Sequence, residues 1–374
     1  MLSPTRRTVL FLGALTGVQL LCGCTDEHGP DAPTAEHHPD QDLPLRTRAV
    51  AATDALLAGY DTVLAGPGAA QGDLLRRQRE EVAQHRSALA QGLPAATGAT
   101  TTGATATAAA SPTGSAPAPA PAPASGAAIG TVAALAAAER QTATDRLADL
   151  DAASPALARL LASVSAAGAL HATRLGDTGP VGAPAASPVP SAPAAAPTPG
   201  TAPAASGAAS GTPAPLPSAA AAGAQSALAA EHAAVYGYGV ACAFLPVGRP
   251  RDDGRTDYLA HQARRDAWER LLRSGGTGPT AAAAGYRLPF AVKDQATAGQ
   301  LAAHIETRLT TVYADVVGAG TGPVRLQAAG ALRESVLRAA RWGAAPSALP
   351  GLPAPADTSA SPSLSGSPSA SPSR

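Results

Sequence analysis

The run "LAAEHAAVYGYGV", Leu228 to Val240, places Glu231, His232, Tyr236 and Tyr238 on one Ala-rich helical stretch. Carboxylates and imidazoles delivered by helices into a bundle interior are the raw material of a metal centre. A four-helix di-metal site takes one Glu from each of two helices and Glu-x-x-His from each of the other two. Residues three apart share a helix face, so both can reach one ion. The carboxylates bridge and neutralise the cations, and imidazole completes the coordination. Over 225–345 the corresponding residues are Glu231, His261, Glu306 and Glu334.

That set is incomplete. The second helix offers His261-Gln-Ala-Arg264, and the fourth reads Glu334-Ser-Val-Leu337, with Leu where His is required. An arginine at a ligand position repels a metal, because its charge is permanent. Upstream, 46–175 is more degraded. It offers Asp54, then Glu81 and His85 four apart, then Glu139, then Gly168-Ala-Leu-His171. Neither region holds a full ligand set.

Glu231 lines up with Leu228, Val235 and Cys242 and so faces inward. A buried carboxylate needs a partner. Arg264, Arg265 or Arg338 can supply bidentate pairs to Glu231, Glu306 and Glu334, with His261 joining them. A Glu–Arg–His network in place of a metal is the reading favoured here. Two alternatives stand beside it: solvated charges with simple helical pairs such as Glu334/Arg338, and a residual iron or manganese site on Glu231, His261, Glu306 and Glu334. No Ser/His/Asp set, phosphate-cradling Gly loop, zinc spacing or cofactor fingerprint is present. Trp268, Trp342, Tyr236, Tyr238, Tyr258 and Tyr313 read as core aromatics at helical spacing.

These residues need helices to hold them. In 225–345 the pattern predicts four: Gln225 to Phe244, Thr256 to Ser274 stopped by Gly275-Gly276, Asp294 as N-cap of a helix to Val317, and a helix from Pro323 to near Arg341. The first and third links are short and the middle one is about twenty residues, long enough to run back along a ~30 Å helix. Two hairpins joined by one long crossover is the ferritin-like arrangement. The first region repeats the scheme over 46–65, 72–90, 128–150 and 155–174, with Ser154-Pro155 opening its last helix. "TDALLAGYD" echoes "AEHAAVYGY", and "LAAAERQTATDRLADL" echoes "LAAHIETRLTTVYADV", which suggests a duplication.

The remainder cannot build a core. Only 14% of residues are charged and 3% aromatic, with 38 Gly and 36 Pro. The tracts 93–126, 176–224 and 346–374 are nearly all Ala, Pro, Ser, Thr and Gly and read as disordered linkers and tail, since burial cannot repay their ordering entropy. Formal net charge is zero, which gives no basic field for nucleic acid.

The start "MLSPTRRTVLFLGALTGVQLLCGC" has Arg6 and Arg7, an apolar run from Val9 to Leu21, and a small-residue approach to Cys24. The run is too short for a comfortable membrane span. It resembles a bacterial lipobox, which implies a signal peptide over 1–23 and lipidation, palmitate included, at Cys24. "TRRTVL" also resembles a twin-arginine export signal. Two acyl chains anchor durably where one does not. The expected place is therefore the extracytoplasmic face of the cell membrane. Residues 24–45 are expected to form a stalk, in which His28, His37 and His38 read as solvated linker residues.

Taken together, "LAAEHAAVYGYGVACA", "HQARRDAWERLL", "YRLPFAVKDQATAGQLAAHIE" and "ALRESVLRAARW" resemble the ferritin-like domain of unknown function found in lipoproteins of high-GC Gram-positive bacteria. The resemblance covers 225–345 and, more loosely, 46–175. It implies a four-helix ferritin-like fold and no established activity. The expectation is an all-α chain of two ferritin-like four-helix bundles on Ala/Pro/Ser/Gly linkers. It is expected to be a non-catalytic envelope module that binds or scaffolds an unknown envelope protein or cell-wall partner, with no cofactor. The alternative is a metal-binding or oxidase-like module.

Overall fold

The computed structural model describes residues 39–66, 71–93, 129–181 and 215–353. Cys24, the segment before it, the three stalk histidines and most of the low-complexity tracts lie outside these residues. Among the described residues there are eight α-helices and no strand, in keeping with the all-α expectation. They are α1 Pro39–Ala65, α2 Gly72–Ala90, α3 Val132–Ala148, α4 Pro155–Arg174, α5 Ser218–Phe244, α6 Arg249–Ser274, α7 Gln295–Ala319 and α8 Gly322–Arg341.

The helix starts legible in the sequence are capped as the chemistry requires. Ser154 Oγ accepts from the Leu157 amide at 3.2 Å, with Pro155 in the first turn. Asp294 and Thr297 form a reciprocal capping box at the start of α7. Gly276, at φ 75°, ends α6 in a conformation open to glycine.

Four starts differ from expectation: α3 begins at Val132 rather than 128, capped by Thr131 Oγ1 accepting from the Ala134 amide at 3.1 Å, and three others begin early. α1 begins at Pro39, inside the expected stalk 24–45. α5 begins at Ser218, inside the expected linker 176–224, and α6 at Arg249 rather than Thr256. Small residues explain α5: Ala220, Ala224 and Ala227 are buried against neighbours, so this Ala-rich stretch has a packing face that composition alone hides. Pro250 sits in the first turn of α6, where its missing N–H costs nothing.

Helix α1 packs on α2 and α3, α4 on α3 and α2; likewise α5 packs on α6 and α7, and α7 on α8. The long α6–α7 link runs along α5 and α7. Gln225 exchanges hydrogen bonds with Gly278 and Thr280, Tyr286 stacks obliquely on Tyr236, and Phe290 meets the edge of His304.

α4 joins the two halves. It packs on α7 and α8 as well as on α2 and α3. Leu157, Leu161, Ala166 and Leu170 share one core with Leu309, Tyr313, Leu332 and Val336. Fourteen of its residues are buried, and most are alanine, serine or glycine, which lets neighbouring helices approach on every side. Among the described residues it is the helix long and apolar enough to cross a membrane, yet 78% of that stretch is buried inside the fold. Its hydropathy is that of a core helix.

Polar ties lock this junction. Arg325 donates to Leu150 O and Ala153 O at 2.6 and 2.9 Å, and also to Val317 O and Gly320 O, so one guanidinium ties the α3–α4 turn to the α7–α8 turn. The segment after α8, inside the expected tail 346–374, lies over the first half: Ser163 donates to Pro350 O at 2.8 Å, and His85 Nε2 meets Ala348 O at 2.6 Å.

Candidate functional site: two buried imidazole–carboxylate clusters

In the second half, Glu231 of α5, His261 of α6 and Glu306 of α7 converge, each fully buried. The imidazole is the centre. His261 Nδ1 lies 2.8 Å from Glu231 Oε2, and Nε2 lies 3.0 Å from Glu306 Oε1. Tyrosines complete the carboxylates: Tyr238 donates to Glu306 Oε1 at 2.7 Å, and Tyr313 donates to Glu231 Oε1. Burial opposes a charged imidazole, but Glu231 and then Glu306 outweigh it and raise the His261 pKa to about 9. Burial pushes the Glu231 carboxyl up, but His261 and Arg264 more than reverse it and hold it below its usual range. The arrangement is an imidazolium clamped between two carboxylates.

Glu334 does not join this cluster, which corrects its placement among the four ligand positions. It is bound by Arg264 and, at 3.0 Å, by Arg338. Arg264 also stands over the Tyr313 ring at 5.8 Å. The expected pairing of Glu231 with an arginine is likewise corrected: His261 and Tyr313 take its oxygens. Arg265 pairs with Asp266, its neighbour. The polar network of Glu, Arg and His exists, but with its partners differently distributed.

A third buried carboxylate was not singled out from sequence. Asp257, one turn before His261 on α6, is held by Arg338 at 3.2 Å, by Arg341, and by Trp342 Nε1 at 2.8 Å. Tyr238 and Trp342, read as plain core aromatics, therefore serve as hydrogen-bond donors to buried acids. The four-residue spacing of Asp257 and His261, matching Glu81 and His85, was the available signal.

The first half builds its own cluster. His171 of α4 lies fully buried between Glu139 of α3 (Nδ1 to Oε1, 3.1 Å) and Glu81 of α2 (Nε2 to Oε2, 2.8 Å). Tyr60 of α1 donates to Glu139 Oε1 at 2.8 Å. Against burial, Glu139 and Glu81 raise the His171 pKa to about 9. His85 stacks on this imidazolium at 5.8 Å. Burial, then the charges of His171 and Arg146, push His85 well below its usual value, so it stays neutral and donates to Ala348 O. Asp54 is not an interior residue: it pairs with Arg86 at the surface, and the buried position beside it is Thr53.

The pairing of contacts sets the correspondence between halves. Tyr60 matches Tyr238, Glu139 matches Glu306, and His85 matches His261. The cationic role has moved from one helix to another. His171 of α4 carries it in the first half; in the second, His261 of α6 carries it, and the α8 position matching His171 is Arg338.

In this arrangement each bridging imidazole has both nitrogens facing carboxylates, so its ring nitrogens are engaged by Glu139 and Glu81 in the first half and by Glu231 and Glu306 in the second. Arg264 of α6 and Arg338 and Arg341 of α8 supply fixed positive charge beside these acids. Among the described residues no group of three or more His, Cys, Asp or Glu is arranged to hold a metal ion.

The fold and these clusters define an all-helical protein with charged, hydrogen-bonded interiors in both halves. Residues 223–354 match the family described as "Domain of unknown function (DUF4439)", so the chain carries a DUF4439 domain from the second turn of α5 to just past the segment that follows α8. Among solved structures, the chain is similar to a conserved hypothetical protein, rv2844, from Mycobacterium tuberculosis. Identity is 39%, with 33% of this chain and 95% of that chain covered and a TM-score of 0.32. No curated protein matches the chain.

Proposed function

We propose that this is an exported, lipid-anchored protein with ferritin-like helical halves, in which fixed internal charge stands where a metal centre would be. It acts as a non-catalytic binding or scaffolding module of the cell envelope. The observation that carries this reading is the clamping of His261 on both ring nitrogens, by Glu231 at 2.8 Å and Glu306 at 3.0 Å. A protonated bridging histidine neutralises the acids of the cluster as a cation would, without coordination chemistry or a redox step. Arg264 and Arg338 do the same for Glu334 and Asp257. The lipobox-like approach to Cys24 supports the anchor. The membrane and an envelope or cell-wall protein are then the partners.

One observation favours the second reading, a metal-binding module. Glu306 Oε2 is buried and has no hydrogen-bond donor. Metal analysis of the purified full chain beside its Glu306→Ala variant decides between the two. Near-zero iron and manganese in both supports the charge-network reading. Stoichiometric metal that disappears in the variant overturns it. In the same host, Cys24→Ser is expected to release the protein from the membrane fraction; retention there overturns the anchor.

A further inference from the structure

Arg146 of α3 is only 3% exposed and sits deep in the first half. Its Nη2 donates to Thr53 Oγ1 at 2.9 Å, but its Nε and Nη1 have no acceptor. A buried guanidinium with unanswered donors is costly, and native structures rarely leave one so. Glu139 lies close enough to favour the charge, but its Oε1 is occupied by Tyr60 and His171. Burial, partly offset by Glu139, brings the Arg146 pKa down to about 10, still cationic at neutral pH.

The second half shows what is missing. Tyr60 and Tyr238 each follow an interior position by seven residues: Thr53 in one half, Glu231 in the other. Glu139 and Glu306 are each followed at seven by the group that donates to that position: Arg146 in one, Tyr313 in the other. The second half therefore pairs a neutral donor with a carboxylate. The first half pairs a cation with a hydroxyl, and Thr53 ends well short of where a glutamate carboxylate reaches.

We propose that the first half binds one small monovalent anion, of the size of chloride, against Arg146 Nε and Nη1. The anion occupies the place that the Glu231 carboxylate fills in the second half. It answers both orphaned donors and supplies a negative charge that Thr53 lacks. This proposal does not depend on the reading of the Glu231–His261–Glu306 cluster.

The test is thermal unfolding of the full chain in sodium chloride against sodium gluconate at equal ionic strength, gluconate being too large to enter. The expected result is a saturable chloride-specific rise in Tm of about 2–4 °C. The rise should be lost in Thr53→Glu, and in Thr53→Glu/Arg146→Tyr, which recreates the second-half pair. Bromide-soaked crystals of the unaltered protein, examined by anomalous scattering, provide a readout that needs no variant to fold. A peak beside Arg146 supports the proposal. Equal Tm in the two salts, a chloride effect that survives both variants, or an ordered water with no bromide at Arg146 overturns it.

Discussion

The two halves solve one problem in two ways. Each gathers acids in a helical interior and must neutralise them. The second half is the drier and more fully ionic: Glu231, Glu306 and His261 are completely buried, and Asp257 nearly so. The first half is looser. Its Glu81 side chain is 16% exposed, the Glu231 position has become Thr53, and a second histidine stays neutral. The difference teaches that the charge balance of such an interior can persist while its members change helix. His171 on α4 and His261 on α6 perform the same office from different walls.

The sharpest way to break this comparison is to remove each bridging cation. His261→Leu leaves two fully buried carboxylates facing each other, and removing one partner of a buried pair costs about 3–5 kcal/mol. His171→Leu is expected to cost less, because water can reach Glu81. Urea unfolding measures both. Equal costs, or the reverse order, would show that burial does not set the difference.

A titration sharpens it further. Both bridging imidazoles have folded pKa values raised to about 9, against about 6.5 when unfolded. Their contribution is fully present below pH 6.5 and is lost as pH rises through 9. His85 runs the other way. Its folded pKa is lowered, so stability is lost as pH falls below about 6.5, where only the unfolded state takes up the proton. Stability should therefore peak near neutrality. His261→Leu and His171→Leu should each flatten the alkaline limb, and His85→Gln the acid limb alone. An alkaline limb of unaltered steepness in both Leu variants would contradict the imidazolium assignment.

The smallest effect probes the matched positions on α4 and α8. A Cβ at Gly168 would stand 3.2 Å from Glu139 Oε2, so Gly168→Ala should cost about 1 kcal/mol by crowding the first cluster. The matching Ser335 is buried with an unpartnered hydroxyl. Ser335→Ala should be neutral or slightly stabilising, within about 0.5 kcal/mol. A costly Ser335→Ala would mean that its hydroxyl has a partner of its own.

Much of the helical layout was legible. Ser154-Pro155, Asp294 and Gly275-Gly276 mark their helix ends through local chemistry that tertiary structure has no reason to override. Glu231 could be placed inside from helical spacing, while His261, Glu306, Glu139 and His171 were reached as candidate ligand positions and prove to be buried. The early starts of α1 and α5 were not legible, because alanine-rich and proline-rich stretches carry no apolar period. Whether they are helical depends on a neighbour close enough to bury small residues. Asp257 was passed over because an acid between arginines reads as a surface charge until Arg338, Arg341 and Trp342 are seen to surround it.

The sequence by itself determined that this chain is all-α, where most helices stop, and that Glu231 faces inward, since those follow from capping and from the helical period. Only the tertiary structure decided that His261 meets Glu231 and Glu306, that Arg264 goes to Glu334, and that α4 stands between both halves. Periodicity sets the face a residue occupies on its own helix. Which faces meet, and at what height, is set by the packing of helices far apart in the chain.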